Sequence, residues 1–554
     1  MIYARGVKDL LCNPRYDSFF QEYILNQGMS YLYGSGAQIA ARDPVQHALP
    51  LIELGRSDLV KSVLRYTLSE MQPSFYTFDP TGRQPSNIPY GETGFGILPK
   101  PSTSLMPDDM ELYVLFLASE YLLATKDKNF LQEKVRFYAT NRSHTVLEAL
   151  ARCAHFTIGE AGAGEHGLIR LLTSDWDDSF HPPAQSENVS ESVLTASLAT
   201  YTLDRAAAMF EWAGDSTTSH KASAFAEQNR KAILTTAFNG EFLRRAWFGS
   251  EGWVGDLPEK NGSFPGMFSA QHGWAMLGGV FDAALGPLQK VLANLRGRCR
   301  EGWNYGFPYY CDLPREGHPF PEGVPAAEGE ARRRLQSAGT GEMWAAINHP
   351  TILGLLHANQ SSLAWQEFVL NSMRHQANTS GHVWVGIWTA ADQHHNGGGP
   401  GWVESFPALC MHRHAWPLVS LRHFAGIHFT ADGLLIRPGL PSHLGAFDYN
   451  TALASVAWDG KETWKGRLAL EHGRRSLRLV LDLSLALGDV GSSTISLERT
   501  DTHADSTTQE RWQVVTRADG AAAAHLLVAD AATVERPTLV AVEFVARVRT
   551  SGRM

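Results

Sequence analysis

The stretch Asp108-Asp-Met-Glu-Leu-Tyr-Val-Leu-Phe-Leu-Ala-Ser-Glu-Tyr-Leu-Leu-Ala-Thr-Lys-Asp127 is apolar between acidic ends, and its length and spacing predict a helix committed to a core. Ser190-Glu-Ser-Val-Leu-Thr-Ala-Ser-Leu-Ala-Thr-Tyr-Thr-Leu-Asp204 repeats the pattern, with Val193, Leu194, Leu198 and Tyr201 at three- and four-residue steps. Further helical segments centre near residues 45–70, 143–156, 221–238, 268–280, 342–357, 361–375 and 412–425. So many helices without strand–helix–strand alternation predict paired-helix packing, compatible with a closed helical toroid, rather than a doubly wound sheet. After Pro438-Gly-Leu-Pro441 the character changes. The runs 475–483 and 538–548 alternate as strands do, and turn residues between such runs suggest a β-sandwich. The expected organisation is a helical or linker segment at 1–28, a helical domain at 29–440 and a C-terminal β-sandwich at 441–554. Loops at 74–107, 302–340 and 389–407 carry many Gly, Pro, Trp and His residues, and loops that long in a compact domain usually serve function.

The 554 residues are 44% hydrophobic and 19% charged, enough for a packed core, which excludes a mainly disordered chain or a small disulfide scaffold. Net charge is −9 and no long Lys/Arg run occurs, so no nucleic-acid partner is expected. No stretch of apolar residues is long enough to span a membrane. The first residues lack a secretory signal, so a cytoplasmic location is expected. Cys12, Cys153, Cys299, Cys311 and Cys410 are odd in number and scattered without a Cys-x-x-Cys pair; reduced thiols and no zinc site are expected. The chain holds 15 Trp, 16 Tyr and 26 Phe, with Trp recurring beside acidic and His residues. Such settings suit sugars, whose C–H faces stack on rings while their hydroxyls take charged partners. For any single aromatic, core packing is the competing reading.

Three constellations carry candidate chemistry. In Leu171-Leu-Thr-Ser-Asp-Trp-Asp-Asp-Ser-Phe180 the carboxylates of Asp175, Asp177 and Asp178 crowd around Trp176. Like charges and an indole raise a carboxyl pKa, and a protonated acid near neutrality is what glycosidic cleavage needs; a helix N-cap or a calcium loop would use similar residues. Arg42-Asp43 could bridge adjacent sugar hydroxyls, or Asp43 before Pro44 could be an ordinary N-cap. The third set is Trp388, Asp392, His394 and His395, Trp402 and Glu404, then His412 and His414. Glu404 or Asp392 could act as general base, or cap a helix. No His-Glu-x-x-His is present, and His412 and His414 would point to different faces of a helix, so no metal is expected.

Taken in order, these segments resemble the helical catalytic domain of the inverting cellobiose/chitobiose phosphorylases, glycoside hydrolase family 94. The resemblance rests on Arg42-Asp43-x-x-Gln46, Asp108-Asp109 with its helix, His166-Gly-Leu and Ser174-Asp-Trp-Asp-Asp178. It extends to Glu191-Ser-Val193, Gln271-His-Gly-Trp274, Thr430-Ala-Asp-Gly433 and Pro438-x-Leu-Pro441. It implies an (α/α)6 barrel followed by a β-sandwich, without the family's large N-terminal β-sandwich. Asp178 would protonate the glycosidic oxygen. Trp176 would line the subsite of the non-reducing sugar, and Arg42 and Asp43 would grip its hydroxyls, with Asp109, Asp175, Gln271, Trp274, Trp388 and Trp402 as further substrate contacts. His349 stands where the family holds phosphate, but Glu342-Met-Trp-Ala-Ala-Ile-Asn348 replaces the run before it. Met411-His412 stands in place of a Thr-Gly turn.

An inverting hydrolase needs a carboxylate to activate water, whereas a phosphorylase needs cations and donors for phosphate. Because Glu404 and Asp392 lie where phosphate would bind, the sequence leans to an inverting glycoside hydrolase acting on a small β-linked gluco-configured carbohydrate. No cofactor is expected. The alternative is phosphorolysis of the cellobiose phosphorylase type, with inorganic phosphate as co-substrate and His349, His412 and His414 as its holders. A non-catalytic carbohydrate-binding relative is a further alternative. By resemblance the chain would form a homodimer.

Overall fold

In the computed structural model of the chain, the described residues are 2–18, 21–25, 42–69, 71, 107–136, 143–178, 180–183, 185–186, 189–258, 264–300, 305–312, 342–379, 390–395 and 409–459, with the backbone of six strands between 463 and 550. Six helices form a ring: α1 (Arg42–Glu53), α2 (Met110–Thr125), α3 (Val193–Ala213), α4 (Ala270–Leu277), α5 (Ala345–His357) and α6 (His412–Phe424). Each packs on the next, and α6 packs on α1 to close the circle. Every residue of α2 except Ala124 is buried, as a helix walled in on all sides requires.

A second layer backs the ring. Ser57–Ser69 lies against α1, Val146–His155 against α2, Ser216–Ala232 against α3, Ser361–Leu370 against α5, and Ile2–Cys12 against α6. Leu285–Asn294 follows α4 and joins the same apolar core through Leu288, Val291 and Leu292. These outer helices bury one stripe each; Ser216–Ala232 buries Ala222, Phe225, Ala226 and Asn229, at the three- and four-residue steps of an amphipathic helix. Asp215 caps it by accepting from the Thr218 N–H at 3.0 Å. The paired-helix toroid expected from the sequence is thus an (α/α)6 arrangement.

Aromatic rings fill the ring's centre. Trp416 is fully buried, with Phe116, Trp274 and His349 around it, and its indole N–H donates to Gln46 Oε1 at 3.1 Å. Near the C-terminal ends of the inner helices, Arg422 pairs with Glu120 at 2.9 Å and Glu53 at 3.3 Å, and Arg205 with Glu120 at 2.7 Å. The Tyr449 hydroxyl donates to Glu53, tying this network to the C-terminal part of the chain.

That C-terminal part is two five-stranded sheets. One orders Ile427–Phe429, Gly433–Ile436, Ser476–Asp482, Ala522–Ala529 and Gln509–Thr516, with a single parallel pairing between the second and third. The other orders Phe447–Asn450, Ala454–Trp458, Thr463–Leu470, Val540–Thr550 and Ser493–Arg499, all antiparallel. Strand pairing therefore begins at Ile427, ahead of the change in sequence character near 441. The expectation of reduced thiols is corrected for two residues: Cys299 and Cys311, twelve residues apart in the chain, form a disulfide. Cys12, Cys153 and Cys410 are free thiols. Among the described residues no helix is long and apolar enough to cross a membrane.

Helices α4 and α5 touch backbone to backbone. A methyl group on Gly273 would lie 2.6 Å from Thr351 Cα, and one on Gly354 would strike the Gly273 carbonyl. Gly354→Ala should therefore destabilise the fold by about 1–3 kcal/mol, the usual cost of overpacking. Gly286→Ala, with nothing within 4 Å, should be neutral or stabilising by up to about 1 kcal/mol through helix propensity. Urea unfolding of the two variants checks the contrast.

Candidate active site

At the end of the ring opposite the Arg422 network, the N-terminal turns of the inner helices bring charged groups together. Arg42 opens α1, Asp109 is the N-cap of α2, and Ser192, the N-cap of α3, accepts from the Thr195 N–H at 3.0 Å. The loop at 171–178 lies beside α2, where the Asp108 N–H donates to the Ser174 carbonyl at 3.1 Å. Helix N-termini carry partial positive charge, which favours carboxylates there.

Asp175 fixes this loop. Its side chain is fully buried and takes a two-pronged contact from Arg245, Nη1 to Oδ2 at 2.6 Å and Nη2 to Oδ1 at 2.7 Å. The Ser192 hydroxyl donates to Oδ2 at 2.7 Å and the Asp177 N–H to Oδ1 at 3.1 Å. Arg245 is completed by the Tyr309 hydroxyl, which accepts from Nε at 3.0 Å, and by Phe180, whose ring centre is 4.1 Å from the guanidinium carbon. With its partners thus filled, Asp175 positions the loop instead of meeting a sugar, which corrects its expected role.

Arg42 then joins the two acidic segments. Nη1 donates to Asp109 Oδ1 at 3.3 Å and to the Asp175 carbonyl at 3.2 Å, and Nη2 donates to Asp178 Oδ1. The Asp109 side chain is 1% exposed and that of Asp178 39% exposed, so Asp178 is the carboxyl of this set that reaches solvent. Trp176 beside it is half-buried, 5.5 Å edge-on from Trp344 and 6.2 Å from Tyr309. Trp176 and Asp178 thus stand on one loop, the first against Trp344 and Tyr309 and the second on Arg42. Trp344, Tyr309 and Arg245 were not singled out; no motif surrounds them, and only their contacts with Trp176 and Asp175 reveal them.

The crowded acids differ in their readiness to hold protons. Burial, with the charges of Asp175 and Asp178, pushes Asp109 up to about 7 against the pull of Arg42. Burial likewise raises Asp108 well above the carboxylate range, helped by Asp175 and Asp109. Burial raises Asp392 to about 6, partly offset by His412. Asp43 goes the other way: burial opposes its charge, but His412, Arg42 and His47 together bring it down to about 2. His412, whose Nε2 is 3.3 Å from Asp43 Oδ1, is held above the ordinary imidazole value by Asp43 despite its burial. His349 is pushed well below it by burial and by the charges of Arg413 and His412; its Nδ1 meets Ser420 Oγ at 2.8 Å.

Other sequence candidates scatter. Trp274 is a core residue, 2% exposed, and Gln271 is fully buried with Nε2 donating to the Leu243 carbonyl at 2.8 Å. Both are corrected from sugar contacts to structural positions. His414 faces outward to the helix Ile2–Cys12, 3.2 Å from Asp9, away from His412, as their spacing predicts. Glu404, Trp388 and Trp402 lie outside the described residues, as do the side chains of His394 and His395.

A model of the Glycosyl hydrolase 94 superfamily catalytic domain matches residues 21–298, half of the chain. The chain belongs to this superfamily. The matched segment of this glycosyl hydrolase 94 member contains Arg42, Asp109, the loop with Asp178, and Arg245. A curated relative, a 3-O-β-D-glucopyranosyl-β-D-glucuronide phosphorylase of Paenibacillus borealis, is 23% identical over 362 residues. That alignment spans 63% of this chain but 43% of the phosphorylase. Among solved structures, a sialidase aligns over 84% of this chain and 37% of its own with a TM-score of 0.53 at 9% identity, a likeness of fold. A family 78 rhamnosidase of Bacillus sp. GL1 aligns over 77% and 36% with a TM-score of 0.48 at 10% identity.

Two outcomes follow from the charges. Arg245→Met strands Asp175 as a buried unpaired carboxylate and should cost about 3–5 kcal/mol, against about 0–1 kcal/mol for Arg56→Ala, whose pair with Asp58 is exposed; calorimetry measures both. The folded protein keeps the Asp109 proton up to about 7, whereas an unfolded aspartic acid loses it near 3.8. Asp109 therefore makes stability fall as pH rises through that window. Asp109→Asn should show a shallower fall than the parent protein when urea midpoints are compared across it.

Proposed function

We propose that the protein cleaves a β-glycosidic bond of a small gluco-configured saccharide with inversion, Asp178 delivering the proton to the departing oxygen. The observation that carries this reading is the Arg42–Asp178 contact on the loop of Trp176: a solvent-reaching carboxyl on an oriented cation, with a half-buried indole two residues away. A sugar stacked on Trp176 would offer hydroxyls to Arg42 and Asp43. Asp109, which keeps its proton until about pH 7, can donate a hydrogen bond there as a neutral acid. A hydroxyl taking over the guanidinium would release Asp178 Oδ1 for proton transfer, so binding and acid catalysis would be coupled through Arg42.

Inorganic phosphate is the favoured nucleophile. The sequence alone leaned to water, and the phosphorylase relative moves the balance. Arg413, still a cation with its pKa lowered to about 9 by burial, and the elevated His412 supply positive charge at the N-terminal turn of α6. Hydrolysis is the second reading, favoured by Asp392. A buried carboxyl near 6 is basic enough to take a proton from water at neutral pH.

A β-linked disaccharide panel incubated with and without phosphate tests the proposal. The expected product is an α-sugar 1-phosphate formed only with phosphate, its anomer read directly by NMR. Asp178→Asn should lower kcat/KM by about 10²–10⁴-fold, the usual worth of general acid catalysis, with KM little changed. Equal sugar release in phosphate-free buffer would assign hydrolysis instead, and an unimpaired Asp178→Asn would remove the acid role.

A further inference from the structure

Three other side chains converge behind this group: His47 of α1, Cys410 of the short strand Leu409–Cys410, and His412 at the start of α6. All are buried, and one ligand atom from each lies within 4.8 Å of the other two. We propose that this trio binds a divalent transition-metal ion of the zinc class, pinning the first turns of α1 and α6 together behind the Arg42–Asp43 grip. The inference rests first on the geometry of these three side chains; metal binding would engage His412 as a neutral ligand, leaving Arg413 as the cation offered to phosphate.

The donor set comes first. One thiolate and two imidazoles form a mixed soft and borderline set that suits zinc and the copper and cobalt ions of similar size. The spacing comes second. Cys410 Sγ and His47 Nε2 are 3.5 Å apart; ligands at about 2.3 Å and 2.0 Å from a tetrahedral centre are about 3.5 Å apart. The support around the trio comes third. His412 turns Nε2 toward Asp43 at 3.3 Å while its Nδ1 is buried and makes no hydrogen bond. One imidazole nitrogen held by a carboxylate and the other left for a cation is the usual arrangement of a metal-bound histidine. The His47 and His412 rings meet edge to face at 4.7 Å. The buried Asp392 Oδ1 makes no hydrogen bond, and its charge acts on both Cys410 and His412, adding negative potential where a dication would sit.

The scattered cysteines spoke against zinc because the motif is not local: Cys410 and His47 are 363 residues apart and meet only when the ring closes. Binding exchanges the Cys410 thiol proton for the metal, and that proton passes to solvent. No redox step is involved.

The test uses the full chain, stripped with a chelator and titrated with Co²⁺, then Zn²⁺. Stoichiometric cobalt should produce a near-ultraviolet thiolate-to-cobalt charge-transfer band that zinc abolishes, and zinc should raise the unfolding temperature. Cys410→Ser should lose the band, while Cys12→Ser, altering an exposed thiol, should keep it. Asp43→Asn should weaken cobalt binding by about 10–100-fold, as loss of a carboxylate behind a metal-bound histidine does. If Cys410→Ser does not fold, His47→Gln takes its place, with band intensity at fixed cobalt as the readout. Absence of the band in the parent protein, or a band unchanged in Cys410→Ser or His47→Gln, would overturn the proposal and leave the contact between Cys410 and His47 as a thiol–imidazole hydrogen bond.

Discussion

The fork of Arg245 on Asp175 is the contact on which the mouth of the ring depends. Both side chains are fully removed from water, where charges are tolerated only when their hydrogen-bonding positions are filled. Here they are filled, by Ser192 and the Asp177 backbone on one side and Tyr309 on the other. The turn that follows has little freedom left, so Trp176 and Asp178 emerge in a set direction one and three residues on. A fully buried acid thus decides where the carboxyl proposed as the proton donor stands.

The two ends of the ring are built with opposite chemistry. At one, Arg422 and Arg205 close on Glu120 and Glu53 near the helix C-termini, where basic side chains offset the exposed carbonyls. At the other, acids gather near the helix N-termini, and one guanidinium, Arg42, bridges two of them, Asp109 and Asp178, and the Asp175 carbonyl. The first end holds the layers together and meets the sheet region at Tyr449; the second keeps its polar groups available for a ligand. The site proposed for glycoside cleavage lies at the second end, where Asp178 reaches solvent.

Much of the architecture was readable from periodicity, because inner helices such as Met110–Thr125 are apolar on every side and outer ones in a single stripe. The onset of β structure was legible too, though pairing starts at Ile427, where the short strands before Pro438 give little alternation to read. In the site, Arg42, Asp43, Trp176 and Asp178 announced themselves by clustering in the chain. Arg245, Tyr309 and Trp344 did not, because each acts on a residue far away in sequence. Asp175 was misread as a sugar contact because a buried acid and an exposed one look alike in a string of letters; only the partner distinguishes them. The same holds for Cys299 and Cys311, whose pairing no local Cys-x-x-Cys pattern announces.

A circle of helices has no first or last seam. Deleting or adding one pair would open a gap on both sides, so evolutionary change in length is steered into the connections. Among the described connections, the one at 171–178 lies on the acidic rim. Substrate preference in such a scaffold can therefore drift by loop exchange while the wall stays the same, a division of labour that lets stability and selectivity be altered separately.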